Sequence, residues 1–324
     1  MARSDLLLSI VRAGSQGDKG LFSKSVEALI AEERSKQHHV LAERLAGFLK
    51  PNANGGSHGP MASDPRVQGL FTEIHPQKKM TDLELPKVAL EQCQELVEEQ
   101  LRCDLLRSHN LEPRHRVLLL GPPGNGKTSL AEALAEALMV PVIAVRYQGV
   151  IGSYLGETAA RLDQLLSHVR SRHCVLFFDE FETLGKERGD TQETGEIKRV
   201  VSSLLLQIDA LPSHVVVVAA TNHPELLDRA VWRRFQLRID LPMPTKEQRK
   251  IWFDRLKSKF TGSMGYSSGK LAEMTDCFCF AELEEFSLDI QRRMILAQPA
   301  GQLKSIIGDR LRFWQSRIRA GTKE

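Results

Sequence analysis

The chain has 324 residues, of which 42% are hydrophobic and 26% are charged, and its formal net charge is +3 at pH 7. This composition is typical of a globular protein with room for two or three domains, and it excludes an intrinsically disordered chain. The small positive charge neither requires nor excludes a nucleic-acid partner.

The cysteines and the start of the chain indicate the cellular compartment. No apolar stretch has the length of a membrane span, and the first residues show no clear cleavage site of a signal peptide. The cysteines form no C-x-x-C pair, so free thiols in a reducing cytoplasm are the simplest account. We therefore expect a soluble, cytoplasmic protein without a membrane partner. The five cysteines are Cys93, Cys103, Cys174, Cys277 and Cys279.

The first 50 residues favour a small helical region. Apolar residues recur at helical spacing, for example Val26 and Ile30, and the glycine-containing stretch 14–20 predicts a break after a short first helix. This region is either a helical bundle without chemistry or a module that recruits a partner. The pair His38-His39 has no further ligand at metal spacing and is interpreted as solvated helix surface.

The strongest motif connects a predicted strand to a predicted helix. The apolar run Val117–Leu120 predicts a buried strand, a helix-forming run follows at Ser129–Met139, and between them stands the phosphate-loop pattern G-x-x-x-x-G-K-[ST]. Glycines let backbone N–H groups approach a triphosphate, and the start of the helix adds donors and a favourable dipole. Lys127 can reach the β- and γ-phosphates, and Thr128 can ligate Mg²⁺. The predicted nucleotide-binding residues are Gly121, Pro122, Pro123, Gly124, Asn125, Gly126, Lys127, Thr128 and Ser129.

Two further apolar runs end in polar residues that suit hydrolysis. The run at 174–178 ends at Asp179 and Glu180, a Walker B pattern at ordinary spacing after a phosphate loop. Asp179 is expected to hold Mg²⁺, and Glu180 to polarise the attacking water. The run Val215–Ala220 predicts another buried strand. Beyond its carboxyl end, Asn222 either orients the water, touches the γ-phosphate or is a simple turn residue.

Predicted strands and helices alternate through the middle of the chain. This alternation predicts an α/β fold of the P-loop NTPase type, with a mostly parallel sheet covered by helices on both faces. Residues beyond 245 show helical periodicity without strands. The predicted division is a helical region at 1–50, a flexible linker at 51–75 whose first part is rich in Gly, Pro and Asn, an α/β domain at 76–244 and a helical domain at 245–324.

Four motifs together resemble the AAA ATPase module, over a stretch from about residue 83 to residue 298. They are Gly121-Pro-Pro-Gly-Asn-Gly-Lys-Thr128, Phe177-Phe-Asp-Glu180, Ala219-Ala-Thr-Asn222 and Leu227-Asp-Arg-Ala-Val-Trp-Arg-Arg-Phe235. The last motif is similar to the second region of homology in the katanin, spastin and fidgetin group. The resemblance implies a hexameric ring that hydrolyses ATP, with ATP and Mg²⁺ at each subunit boundary, and it identifies the C-terminal helical domain as a lid.

The resemblance also implies roles for single residues. Arg233 and Arg234 match arginine fingers that act on the γ-phosphate of a neighbouring copy, which suits a guanidinium that forks onto phosphate oxygens. On charge pattern alone, the two are also consistent with an exposed basic pair. Asn222 matches the sensor-1 position. Tyr154 and Leu155, followed by glycine, match a pore loop that grips an extended polypeptide, although a loop that packs internally would fit as well.

Two features depart from the family pattern. Cys277-Phe-Cys-Phe-Ala-Glu-Leu283 stands where many relatives have Gly-Tyr-Ser-Gly-Ala-Asp-Leu, which leaves open whether the lid contacts the nucleotide. The N-terminal helices do not look like the substrate-binding domains of the well-known members. The overall layout is similar to small bacterial AAA ATPases that are paired with subtilisin-like serine proteases, which implies a protease partner.

Three functions are compatible with these residues. The best supported is an ATP-driven remodeller that forms a ring and threads a polypeptide client through a central pore. An ATP-switched nucleic-acid loader or transposition-type regulator would share the phosphate loop, but the pore-loop and arginine motifs favour the remodeller. A scaffold that binds ATP and barely hydrolyses it is disfavoured by the intact pair Asp179 and Glu180.

Overall fold

A computed structural model describes residues 19–36, 69–150, 155–184, 193–258, 264–296 and 303–321, together with the single positions 6, 9, 38, 42, 46 and 67. Within these ranges the chain folds into an α/β sheet domain followed by a helical domain.

A six-stranded sheet lies at the centre of the α/β domain. Its strands stand in the order β1-β3-β4-β5-β2-β6, and every neighbouring pair is parallel except β1 with β3. The predicted α/β class with a mostly parallel sheet is confirmed. The strands are β1 (Phe71–Ile74), β2 (Arg116–Leu120), β3 (Val142–Val145), β4 (Cys174–Phe178), β5 (Val215–Thr221) and β6 (Leu237–Asp240).

The described part of the chain contains twelve α-helices. They are α1 (Lys19–Ser35), α2 (Lys87–Leu101), α3 (Cys103–Ser108), α4 (Lys127–Leu138), α5 (Tyr147–Val150), α6 (Leu155–Arg170), α7 (Glu193–Asp209), α8 (Arg229–Arg234), α9 (Lys246–Ser258), α10 (Ser268–Met274), α11 (Phe280–Leu296) and α12 (Leu303–Gly321). Short 3₁₀ helices lie at Met80–Asp82, Phe181–Leu184 and Pro224–Leu226.

Both faces of the sheet are covered, as the sequence predicts. Successive side chains of a strand point to opposite faces. In β2, Val117 and Leu119 pack with α2 and α4, whereas Leu118 and Leu120 pack with α6 and α7. All four side chains are buried, and burial of a leucine or valine stabilises the fold by about 1.5–3 kcal/mol. The continuous apolar strands are therefore explained by two packed faces.

The strand β1 corrects the predicted linker. Phe71 pairs with Val145 and Ile74 with Val142, so the sheet begins inside the stretch 51–75. The prediction that the linker extends to residue 75 is wrong at these positions. The N–H and C=O groups along the outer edge of β3 need hydrogen-bond partners, and β1 provides them. Residues 51–66 lie outside the described residues, and the remaining domain boundaries stay predictions.

A third core holds the helical domain together. Buried aromatic side chains from α9, α11 and α12 meet there, including Phe253, Phe286 and Trp314, and Phe278 lies between them. The rings of Phe278 and Phe286 stand edge to face with centroids 5.7 Å apart, a favourable arrangement for aromatic pairs. This core positions the start of α11, which faces the sheet domain.

Two features of the structure bear on the predicted cellular compartment. Across the described residues, no helix has both the length and the apolar character that a membrane crossing needs. None of the five cysteines is part of a disulfide bond in the structure, and all five lie within the described residues.

Candidate active site

The sheet brings the predicted site residues to one edge. The strands β4, β5 and β2 are parallel neighbours, so their carboxyl ends meet at the same edge, where α/β sheets bind ligands. A cavity of about 470 Å³ lies at this edge, between the sheet domain and the lid. Its lining includes the phosphate loop from Pro123 to Ser129, the acids Asp179 and Glu180, and Asn222.

The phosphate loop has the backbone that its glycines permit. Gly126 has φ of +85° and forms the N-cap of α4, so the first turn of that helix presents unpaired N–H groups beside the cavity. Gly121 has φ of +142°, and a Cβ atom there would lie 2.2 Å from the carbonyl oxygen of Leu241. The segment after β6 therefore packs directly onto the loop and fixes its shape.

Lys127 is held against its own loop. Its Nζ donates to the carbonyl oxygens of Gly121 at 2.6 Å and of Pro122 at 2.9 Å, and the side chain is buried. Burial lowers the pKa of Lys127, while the charges of Asp179 and Glu182 raise it. A bound phosphate would compete with the two carbonyls for this ammonium group and would favour its charged form.

Thr128 and Asp179 form the predicted metal position. Thr128 Oγ1 donates to Asp179 Oδ2 at 3.0 Å, so a hydroxyl and a carboxylate oxygen converge beside the phosphate loop. These hard oxygen donors suit Mg²⁺, which takes few protein ligands and completes its shell with water and substrate phosphates. The described residues contain no cluster of three or more His, Cys, Asp or Glu side chains arranged for a metal, which agrees with such a sparse site.

Glu180 is exposed in the cavity on an unusual backbone. Its φ is +46°, in the left-handed region that costs a non-glycine residue about 1–2 kcal/mol. The next residue, Phe181, is buried edge to face against Phe178 and Phe235, with centroid distances of 5.7 and 5.9 Å. Because this packing anchors the 3₁₀ turn, it holds the Glu180 carboxylate at the cavity against the local preference of the chain.

Glu182 is a site residue that the sequence analysis did not identify. It is only 4% exposed, and its Oε1 accepts a hydrogen bond from the backbone N–H of Asn222 at 3.4 Å. Glu182 thus links the Walker B turn to the predicted sensor. Its place two residues after Glu180, between the apolar residues Phe181 and Leu184, was the available signal.

The altered lid segment contacts the phosphate loop. The backbone N–H of Ala281 donates to the carbonyl of Gly124 at 2.9 Å, and that of Phe280 to Asn125 Oδ1 at 3.4 Å. A Cβ atom on Gly124 would lie 2.6 Å from Cys279 Sγ, so the loop glycine also makes room for the lid. The start of α11 therefore rests on the loop.

Two aromatic rings of the lid line the same cavity. Trp252 and Phe280 lie with ring centroids 6.0 Å apart, and the half-buried residues Leu83 and Leu85 line the same cavity. The indole N–H of Trp252 donates to Ser287 Oγ at 3.1 Å, which fixes the ring. Trp252 also packs against the core of the helical domain, and an apolar stripe in a sequence does not show which of its members reach a cavity.

Lys78 is a second cation in the cavity that sequence analysis missed. Its Nζ donates to Ser129 Oγ at 2.8 Å, at the start of α4. The backbone N–H groups of Gln77 and Lys78 both donate to Glu132 Oε1, at 2.8 and 3.2 Å, which pins this segment to the same helix. The other charged side chains in the lining are Lys127 and five acids: Asp82, Glu84, Asp179, Glu180 and Glu284.

The two predicted fingers, Arg233 and Arg234, lie outside the cavity and differ from each other. Arg234 forms an ion pair with Asp209 at the end of α7, and Arg116 pairs with the other oxygen of the same carboxylate. Arg233 is exposed and has no hydrogen-bond or ion-pair partner among the residues that the structure describes. Only Arg233 is therefore free to reach another molecule in this conformation.

The predicted pore loop is not part of this geometry. Tyr154 lies outside the described residues, and Leu155 is described only as the first residue of α6. Their contact with a polypeptide stays a prediction.

Comparison with known proteins places the chain in a family. The sequence profile of the AAA family, described as ATPase family associated with various cellular activities, matches residues 117–243. An uncharacterised AAA family ATPase, y4kL, of Sinorhizobium fredii is 34% identical over 312 residues, which cover 91% of this chain and 90% of that protein.

Two relatives with named roles match over shorter stretches. The peroxisomal ATPase pex6 of Schizosaccharomyces pombe is 33% identical over 62% of this chain and 23% of its own length. A proteasome-activating nucleotidase of Pyrococcus horikoshii is 31% identical over 71% of this chain and 59% of its own length. The chain thus spans less than two thirds of either protein. The motifs at one sheet edge and the match along nearly the whole of y4kL lead to one conclusion: the chain belongs to the AAA family and is an ATPase.

Proposed function

We propose that this ATPase works as a ring, a hexamer, that couples ATP hydrolysis to the remodelling or threading of a polypeptide. The observation that carries the proposal is the composition of the cavity. It unites Lys127, Thr128, Asp179, Glu180 and Asn222, yet none of the described residues that line it is an arginine. A site of this kind lacks the charge that stabilises phosphoryl transfer, and a neighbouring copy is the simplest source of it.

The residues of the cavity have separate roles in ATP hydrolysis. The N–H groups at the start of α4 and the Lys127 ammonium hold the phosphates. Thr128 and Asp179 would hold Mg²⁺, which neutralises charge on the phosphate oxygens when it is bound. Glu180 polarises the attacking water, and Asn222, tied to Glu182 through its backbone, orients that water or contacts the γ-phosphate.

The base of the nucleotide fits the opposite end of the cavity. The rings of Trp252 and Phe280 and the apolar residues Leu83 and Leu85 line the same cavity and offer the apolar surface that an aromatic base would need. Since Phe280 also contacts the phosphate loop through its backbone, the lid would sense both ends of the nucleotide.

The polypeptide client and the partners belong to the same proposal. The pore-loop match at Tyr154 and Leu155 supports a grip on an extended chain, and a proteasome-activating nucleotidase is among the relatives. We further propose that the protein is closest in mechanism to the katanin, spastin and fidgetin group, acts in the cytoplasm and delivers clients to a subtilisin-like serine protease. The free thiols support that location, and the protease partner rests on the layout of the chain alone.

Three variants test this function. Lys127→Ala should abolish nucleotide binding, and Glu180→Gln should bind ATP, turn it over at a small fraction of the normal rate and trap the assembled ring. Tyr154→Ala should retain ATPase activity but lose remodelling of an unfolded model protein. Normal turnover by Glu180→Gln would reject the role of that residue, and full remodelling by Tyr154→Ala would reject threading. ATPase activity that DNA stimulates and salt suppresses would favour the nucleic-acid loader instead.

A further inference from the structure

Tyr147 lies at the junction between the nucleotide site and the proposed pore loop. It is the first residue of α5, which follows β3 directly and leads into the stretch 151–157. Its ring packs against the core cluster on the α6 and α7 face of the sheet. Tyr147 therefore connects the core of the sheet domain, along the chain, with that stretch.

The Tyr147 hydroxyl is buried without a partner. In the described part of the chain, no donor or acceptor lies within hydrogen-bond reach of its oxygen. A buried polar group without a hydrogen bond destabilises a fold, and a phenylalanine would fill the same space without that cost. Unsatisfied groups of this kind call for a structural or catalytic explanation.

The surroundings of the hydroxyl are acidic. Burial raises the pKa of Tyr147 well above its usual value, and the charges of Asp179, Glu182 and Glu180 raise it further. The group therefore remains a protonated donor that faces carboxylates. One of these, Glu182, has a buried oxygen, Oε2, that also lacks a partner, while its Oε1 accepts the N–H of Asn222.

We propose that Tyr147 is a positioning residue whose hydroxyl donates a hydrogen bond to Glu182 Oε2 when the site closes around nucleotide. The bond would satisfy both buried atoms at once and would fix the carboxylate that holds Asn222. This inference rests on the proposed function, because it assigns the coupling element of the same ATP site.

The test is the removal of a single oxygen atom. Tyr147→Phe should lower kcat for ATP by about tenfold, the factor that corresponds to one lost hydrogen bond in the transition state, and leave KM and ADP affinity unchanged. Its thermal unfolding midpoint should equal or exceed that of the wild type, because the variant buries no unpaired hydroxyl. Tyr266→Phe, in the lid, is the matched control and should keep the wild-type kcat.

A second variant makes the test specific for the pair. Glu182→Gln should also lower kcat, and the double variant should be no slower than the slower single variant, since both remove the same interaction. Additive losses in the double variant would overturn the pairing, and wild-type kcat in Tyr147→Phe would overturn the inference. A lower kcat in Tyr147→Phe that comes with a lower unfolding midpoint would overturn it as well, because the loss would then be structural. If Glu180→Gln hydrolyses ATP normally, the proposed function itself fails; if only Tyr147→Phe is normal, this inference alone fails.

Discussion

At the scale of single residues, Glu180 shows how packing overrides the local preference of the chain. A glutamate at φ of +46° is strained, yet the buried ring of Phe181 directly after it fixes the turn. The strain is localised at the carboxylate that is expected to polarise water, as occurs at many functional sites. Glycine would relieve it and remove the carboxylate at the same time.

Two substitutions at Glu180 should distinguish the effect of backbone strain on stability from the effect of the carboxylate on ATP turnover. Glu180→Gly and Glu180→Gln should both lose turnover, because neither carries a carboxylate. In chemical denaturation, Glu180→Gly should have the higher free energy of unfolding, by roughly 0.5–1 kcal/mol after the entropic cost of glycine. Asn110→Gly is the control: Asn110 is exposed with φ of +58°, so its replacement should change stability little and keep turnover. Equal stability of the two Glu180 variants would mean that the turn stores no strain.

At the scale of elements, the strands that carry the site were the easiest to predict. The strands β2, β4 and β5 are continuous apolar runs, since both faces of the sheet are covered, and the polar residues after them mark the edge where ligand binds. The strand β1 was missed, because its four residues carry a weak pattern and only the free edge of β3 makes them a strand.

Contacts between helices and strands could not be predicted from the sequence. The start of α11 was recognised as an altered lid, but its hydrogen bond to Gly124 depends on how two domains meet. The break between α2, which ends at Leu101, and α3, which begins at Cys103, likewise has no glycine or proline to mark it in the sequence. Such features follow from tertiary packing, which no local pattern encodes.

A cluster of histidines joins the N-terminal region to the sheet domain. The ring of His173, between α6 and β4, lies edge to face with His38 at a centroid distance of 5.4 Å and beside His214 at 4.7 Å. His38 also contacts Glu33 Oε2 at 2.7 Å, so this partly exposed side chain is packed on one side, whereas His39 lies outside the described residues. The pKa of His173 is lowered from 6.5 to about 4, mainly by burial and to a smaller extent by the charges of the neighbouring His214 and His38.

This shift predicts a pH-dependent stability. Folded His173 stays neutral down to about pH 4, whereas the unfolded chain binds a proton near pH 6.5. Between these values the unfolded state binds more protons, so the free energy of unfolding should fall as the pH decreases, and above pH 6.5 this group should contribute no slope. Denaturation curves across this range should show a shallower slope for His173→Gln than for the wild type. The exposed His109→Gln serves as the control, and an equal slope in all three proteins would contradict the assignment.

At the scale of the whole molecule, the charges of the cavity bear on the proposal that a second copy of the chain completes the ATP site. Five acids and two lysines line it, and Arg233, the predicted finger that has no partner among the described residues, lies outside. Arg234 is engaged by Asp209, which also holds Arg116 at the start of β2. The structure therefore separates the two predicted fingers: Arg234 anchors α8 to its own chain, and Arg233 is presented outward.

Single substitutions on α8 should reveal this division of roles. Arg233→Ala should bind ATP normally but lose turnover on the order of a thousandfold, the contribution of an arginine finger. Arg234→Ala should lower the free energy of unfolding by up to about 1 kcal/mol, since its ion pair is partly exposed. Arg229→Ala, on the same helix and also exposed, is the matched control and should change neither ATP turnover nor stability.

Mixing variants then tests whether Arg233 acts on a neighbouring copy. Arg233→Ala subunits keep an intact phosphate loop, and Lys127→Ala subunits keep an intact finger, so neither protein alone should hydrolyse ATP. In an equal mixture, about a quarter of the boundaries would pair the intact phosphate loop of one subunit with the intact Arg233 of the next, if the subunits assemble at random. Turnover should therefore return in the mixture and reach its maximum near equal amounts. If no mixing ratio restores activity while gel filtration shows mixed assemblies, Arg233 does not act between copies and the ring would need another source of positive charge.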